Sequence, residues 1–68
     1  MKVKDILKKI EDPKIYIEIK YTIEYGGGSF GIFTKNDLYY NDKMKNKNIE
    51  KINIQYYDGK RLLILEVK

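Results

Sequence analysis

The chain has 68 residues and a formal net charge of +4, with no cysteine and no histidine. Chains near this length bury only about 60% of their unfolded surface, which leaves room for one domain spanning residues 1–68 and excludes a second. Without His or Cys the usual general base near neutral pH, the thiolate nucleophile, disulfides and the common nitrogen and sulfur metal ligands are missing, so most enzyme classes and metal centres fall away.

Val3, Ile6, Leu7 and Ile10 recur at i, i+3, i+4 and i+7 among lysines and acids, which predicts an amphipathic helix over about residues 2–12. Asp5 and Lys9 form a favourable i, i+4 pair, and Asp12-Pro13 ends the helix because the residue before proline is pushed out of the α region. The opening residues read as this helix rather than as a signal peptide, and no run of 18 apolar residues predicts a membrane span. A reducing cytoplasm is the expected location for such a cysteine-free chain.

Residues 14–25 alternate apolar and polar side chains almost without a break, which predicts a long half-buried β-strand. Gly26-Gly27-Gly28-Ser29 interrupts it, and residues 29–35 resume strand-type residues, so a hairpin follows. With Gly27-Gly28 as the turn, Tyr25 faces Phe30, Ile23 faces Ile32 and Tyr21 faces Thr34 on the apolar side. Residues 36–48 form a polar insert holding one helical turn, with Asn36-Asp37 as its cap. Residues 49–57 and 60–68 make a second hairpin around Asp58-Gly59, the strongest local signal in the chain, because a type I′ turn needs positive φ at both central residues. Its register sets Ile54 against Leu63, Ile52 against Leu65 and Tyr56 against Arg61, with Lys51–Glu66, Asn53–Ile64 and Gln55–Leu62 on the other face. The expected fold is α+β: one N-terminal helix packed on a four-stranded antiparallel sheet built from two hairpins.

Thirteen lysines accompany a single arginine, Arg61, and Ile, Lys, Asn and Tyr, all drawn from AT-rich codons, fill more than half the chain. Much of the basicity therefore reflects codon usage, since phosphate and base readers favour the planar fork of arginine. A polyanion surface would draw on Lys20, Lys35, Lys43, Lys45, Lys47, Lys60 and Arg61, with Tyr16, Phe33 and Tyr57 as outward-facing rings for stacking. Glu18 and Glu24 beside Lys20 offer a carboxylate pair, but alternating charges on a strand read first as a solvated face. The glycine run offers backbone N–H groups to a phosphate, yet no Gly-Lys-Ser/Thr ending follows it, and a hairpin turn accounts for it more simply. No catalytic residue, metal site or cofactor is assigned.

Lengths carry more information than motifs. A ten-residue helix reaches about 15 Å at 1.5 Å per residue, whereas a twelve-residue strand reaches about 40 Å. One helix does not roof such a sheet, so the distal cluster of Tyr21, Ile23, Tyr25, Phe30 and Ile32 is covered either by Leu38, Tyr39 and Met44 of the insert or by another protein. Tyr21, Tyr25, Phe30 and Phe33 at the hairpin tip are the expected partner-binding residues, and Leu62 and Ile64 an expected self-association face, as in a homodimer.

A Val-Lys-Asp-Ile-Leu helix, a Tyr-Ile-Glu-Ile strand, a Gly-Ile-Phe strand, a short polar segment and a closing hairpin ending Leu-Leu-Ile-Leu-Glu-Val follow one another in this order. The arrangement resembles small proteins carried by phages and mobile elements of low-GC Gram-positive bacteria, a pool that includes inhibitors of bacterial defence such as anti-CRISPR proteins. The long first hairpin with its glycine run departs from that pattern, and no functional residue carries over. The resemblance implies a non-enzymatic inhibitor that occupies a host protein, possible partners including CRISPR-Cas or other defence components. A basic module that binds or competes with nucleic acid, and an oligomeric sponge for a nucleotide signal, are the alternatives.

Overall fold

The computed structural model describes residues 1–12 and 14–68, with the backbone alone of Tyr57. Seven elements follow in chain order: α1 (Val3–Leu7), β1 (Tyr16–Ile23), β2 (Gly26–Thr34), α2 (Lys35–Tyr39), α3 (Asp42–Lys45), β3 (Ile49–Tyr57) and β4 (Lys60–Val67). The four strands form one sheet in the order β2-β1-β4-β3, and three short helices lie on one face of it. The chain is α+β as expected, but the sheet is mixed: both hairpins are antiparallel, whereas β1 and β4 run parallel from Tyr16–Leu62 to Tyr21–Val67. The reason lies in the insert. Residues 35–48 cross the sheet as α2 and α3 and deliver β3 to the edge opposite β2, so β4, turning back beside β3, fills the gap next to β1 in the same direction as β1.

The second hairpin has the register that its turn dictates, from Tyr57–Lys60 through Ile54–Leu63 to Lys51–Glu66. Asp58 (φ +52°) and Gly59 (φ +74°) supply the two positive dihedrals. The first hairpin does not turn where expected. Its turn residues are Glu24 and Tyr25, and Gly26, Gly27 and Gly28 are already strand, paired with Ile23, Thr22 and Tyr21. Two close approaches hold this register: a Cβ on Gly27 would lie 2.4 Å from the Tyr21 carbonyl oxygen, and one on Gly28 would lie 2.5 Å from the Tyr21 hydroxyl. The glycines thus serve as the surface on which Tyr21 lies, and Gly26 (φ +141°) redirects the backbone after an unprimed turn. Between Ile19–Gly31 and Lys20–Ser29 the pairing slips by one residue, a bulge that leaves Phe30 as the extra residue.

Val3, Leu7, Leu38 and Met44 from the helices meet Ile17, Ile19, Leu63, Leu65 and Val67 from the two central strands in one buried cluster. The helix expected over 2–12 is α-helical for five residues only. Beyond Leu7 the chain tightens through Lys9 N–H to Ile6 O (2.9 Å) and Ile10 N–H to Leu7 O (3.4 Å), and the Lys35 ammonium takes the Ile10 carbonyl. Ile6 and Ile10 still pack on the core, so the apolar spacing is used without a full-length helix. The stop expected at Asp12-Pro13 falls on Pro13, which lies outside the described residues; Asp12 Oδ1 accepts from the Lys14 N–H at 2.9 Å. α2 is capped by Thr34 rather than by Asn36-Asp37. Thr34 Oγ1 accepts from the Asp37 N–H (3.2 Å) and Asp37 Oδ2 accepts from the Thr34 N–H (3.3 Å), a reciprocal cap. Asn41 Oδ1 caps α3 through the Met44 N–H at 3.1 Å.

Leu38 is fully buried although its helix has five residues. Leu38→Ala is expected to lower unfolding stability by about 2–5 kcal/mol, read from urea denaturation. At α1, Asp5 Oδ2 accepts from the Lys2 N–H (2.9 Å), and this bond above all holds the carboxyl below its usual pKa against an opposing desolvation, with the nearby Lys8 and Lys4 charges adding less. The stabilisation is complete above the ordinary carboxylate pKa and is lost as pH falls from there through the lowered value. Asp5→Asn is expected to flatten that acid limb of the stability curve and to leave the neutral-pH fold unchanged, as followed by circular dichroism.

Candidate protein-binding surface

Beyond the helical layer the first hairpin ends in a cluster that owes its exposure to glycine. Each side chain near the end of β1 faces a residue without a Cβ: Tyr21 faces Gly28, Thr22 faces Gly27 and Ile23 faces Gly26. Cross-strand neighbours normally cover one another on a sheet. Here Tyr21 uses the vacancy by lying over Gly28, whereas Ile23 has no cross-strand side chain to meet and is exposed. Tyr25, in the turn, is 92% exposed.

The base of this tip is rigidly built. The bulge turns Phe30 towards Tyr21, with ring centroids 4.8 Å apart at 49°, and the Lys47 ammonium sits 4.9 Å from the Phe30 ring centre. Lys47 in turn is held by the chain, since its carbonyl accepts from the Val3 N–H at 3.0 Å. Tilted aromatic pairs and cation–π contacts each add order 1 kcal/mol, enough to orient a half-exposed ring. On the opposite face Thr22 donates its hydroxyl to Glu66, tying the tip to β4. Ile23, Tyr25 and the outer edge of Phe30 therefore form an apolar and aromatic knob on a fixed stalk.

Of the four expected partner-binding residues, Tyr21 and Phe30 meet here, and Tyr25 stands beyond them in the turn. Phe33 lies elsewhere. It pairs with Ile17 at the other end of the strand and packs against the core, because the Phe30 bulge reverses the parity of β2 beyond it. Ile23 joins the tip in its place; the glycines opposite it were the available signal. The expected self-association face is also different from its reading: Ile64 is only 7% exposed within a single copy and Leu62 is partly covered, while Ile32 and Tyr16 are the open apolar residues of that face.

The basic residues fall into separate groups: Lys35 and Lys45 line one depression with Lys4 and Lys8, and Lys60 and Arg61 line another with Lys14. Lys20 stands on the outer face 4.0 Å from Glu18, Lys35 is bonded to the Ile10 carbonyl, Lys45 pairs with Asp42 at 3.0 Å, Lys47 covers Phe30, and Lys60 lies 5.9 Å from the ring centre of Tyr16 beside the second turn. Lys43 belongs to the helical face and Arg61 to the far end of β4. Gly26–Gly28, offered as a phosphate cradle, is extended strand in the ladder. Of the outward rings, Tyr16 is exposed, Phe33 is not, and the Tyr57 side chain lies outside the described residues. Further aromatic exposure occurs at Tyr39 and Tyr40, which meet edge to face at 5.1 Å, and at Tyr56 on the β3 edge. Among the described residues no helix is long and apolar enough to cross a membrane. No protein-family model matches the chain, and neither a curated protein nor a solved structure matches it.

Gly28→Ala forces the Tyr21 ring off its glycine and so breaks the Tyr21–Phe30 pair. A stability loss of about 1–3 kcal/mol is expected, together with displaced Tyr21 and Phe30 ring resonances in NMR spectra, while the Asp58-Gly59 hairpin keeps its signals.

Proposed function

We propose that this chain is a non-enzymatic interaction protein that binds the surface of another protein with the tip of its first hairpin. The single observation that carries this reading is the exposed Ile23–Tyr25 knob held on the Tyr21–Phe30–Lys47 base. Exposed apolar and aromatic side chains on a rigid support lose little conformational entropy on binding, and such anchors dominate recognition surfaces. Glu24 beside them adds one acidic contact at the rim. The resemblance in element order to phage and mobile-element proteins of low-GC Gram-positive bacteria supplies the class of partner: a cytoplasmic host protein, with components of CRISPR-Cas or other defence systems the first to test.

The test uses the intact chain and two tip variants, Tyr25→Ala and Ile23→Ser. Both residues are exposed, so the fold is expected to lose less than about 0.5 kcal/mol. Wild-type chain expressed in a low-GC host is expected to restore plaque formation by a phage that an active defence system restricts, and to retain a defence component on affinity purification. Both effects are expected to fall at least tenfold with the tip variants. Full protection by the doubly substituted protein would remove the tip from the mechanism, and absence of protection across a panel of defence systems would remove the inhibitor assignment.

A further inference from the structure

The two edges of the sheet are treated differently by the sequence. An unpaired edge strand is a template for another chain, and proteins blunt it with bulges, glycines, charges or prolines. β2 carries three such devices: the Phe30 bulge, four glycines, and Ser29 Oγ taking the Gly31 N–H at 3.0 Å. β3 confines most of its own to its first residues: the bulge at Glu50 and the charges of Glu50 and Lys51. From Ile52 to Tyr56 it reads Ile-Asn-Ile-Gln-Tyr, with no charge, no glycine, no proline and an unbroken register against β4.

The direction of its backbone groups follows from the turn. In a two-residue hairpin the residues flanking the turn, Tyr57 and Lys60, exchange both hydrogen bonds, and narrow and wide pairs then alternate. Asn53 and Gln55 thus bond inward to β4, and Ile52, Ile54 and Tyr56 aim their N–H and C=O groups outward. The Ile54 N–H accordingly finds a local acceptor, Asn53 Oδ1, at 2.9 Å. These same three residues are 49%, 57% and 77% exposed on the helix-side face, because the helical layer roofs β1 and β4 and stops short of β3.

We infer that a second copy of this chain covers this edge, β3 pairing antiparallel with β3 about a two-fold axis at Asn53 to give one eight-stranded sheet. The strand is complementary to itself in that register. Ile52 of each copy stands opposite Ile54 of the other and Lys51 opposite Gln55, and the regular stretch ends at the Glu50 bulge, so no like charges meet. Asn53 stands opposite its own copy, and the outward groups of Ile52 and Ile54 exchange hydrogen bonds across the seam, the Ile54 N–H leaving Asn53 Oδ1 to do so. An axis normal to the sheet keeps both helical layers on one side, with the six side chains of Ile52, Ile54 and Tyr56 packed along the seam between them. This surface is separate from the hairpin tip and presents two tips at once.

The absence of native cysteine makes the test direct. Asn53→Cys places two thiols at a non-hydrogen-bonded pair, where the Cα separation of about 4.5 Å falls within the range a disulfide spans. The full-length Asn53→Cys chain, oxidised in a glutathione buffer, is expected to become a covalent dimer, whereas Gln55→Cys, opposite Lys51, stays largely unlinked. Light scattering on the wild type is expected to give about twice the 8.1 kDa chain mass. Ile54→Lys, at an exposed site, is expected to return it to the monomer with an unchanged circular dichroism spectrum. A wild type that remains monomeric at millimolar concentration overturns the inference, as does a dimer that Asn53→Cys fails to link or Ile54→Lys fails to dissolve.

Discussion

The parallel pairing of β1 with β4 is the contact on which the molecule depends. Ile17 and Ile19 on one strand and Leu63, Leu65 and Val67 on the other are almost wholly buried, and every helix contributes its apolar residues to the floor these five make. The hairpins give each strand one partner by local turns, but only this non-local pair joins the two hairpins into a sheet. Short helices of four and five residues do not persist in water by themselves. Val3, Leu38 and Met44 are ordered because that floor exists beneath them, and the Thr34–Asp37 and Asn41–Met44 caps define where each turn begins.

Much of this architecture was legible in the residues, and the misreadings have physical causes. Asp58-Gly59 specified both its turn and the whole register of the second hairpin, since few residues accept two positive φ angles in succession. The glycine run was misleading for the same reason. Glycine is read as a turn former through its dihedral freedom, whereas Gly27 and Gly28 act through their missing side chains, which allow the Tyr21 ring and carbonyl to approach. The parallel pairing had a signal in the uninterrupted Leu62–Leu65 run, the pattern of a strand covered on both faces, as Ile64 at the outer face bears out. That run reads equally well as one side of an ordinary hairpin, and local alternation says nothing about which strands become neighbours.

The candidate surfaces divide in the same way. By length and alternation residues 14–25 read as one strand, whereas β1 runs only over Tyr16–Ile23 because the turn comes at Glu24 and Tyr25; Tyr25 and Phe30 are exposed all the same. Phe33 was misplaced because the Phe30 bulge adds one residue to β2 and so exchanges the faces of the residues beyond it. The unroofed row at Ile52, Ile54 and Tyr56 was invisible to the sequence, because the same alternation is produced by a core strand and by an edge strand; only the strand order separates them.

The central position of β4 has a consequence for biosynthesis. It is the last of the four strands to leave the ribosome, yet it lies between β1 and β3, both made before it. The nascent chain can close its first hairpin early, but it has no floor for its helices until β4 emerges, and folding rates fall as native contacts join residues distant in the chain. Until that moment the tyrosine- and isoleucine-rich segments stand open in the cell, within reach of chaperones and proteases. Synonymous codon changes that slow translation of residues 60–67 would lengthen that exposure without altering a single atom of the finished protein.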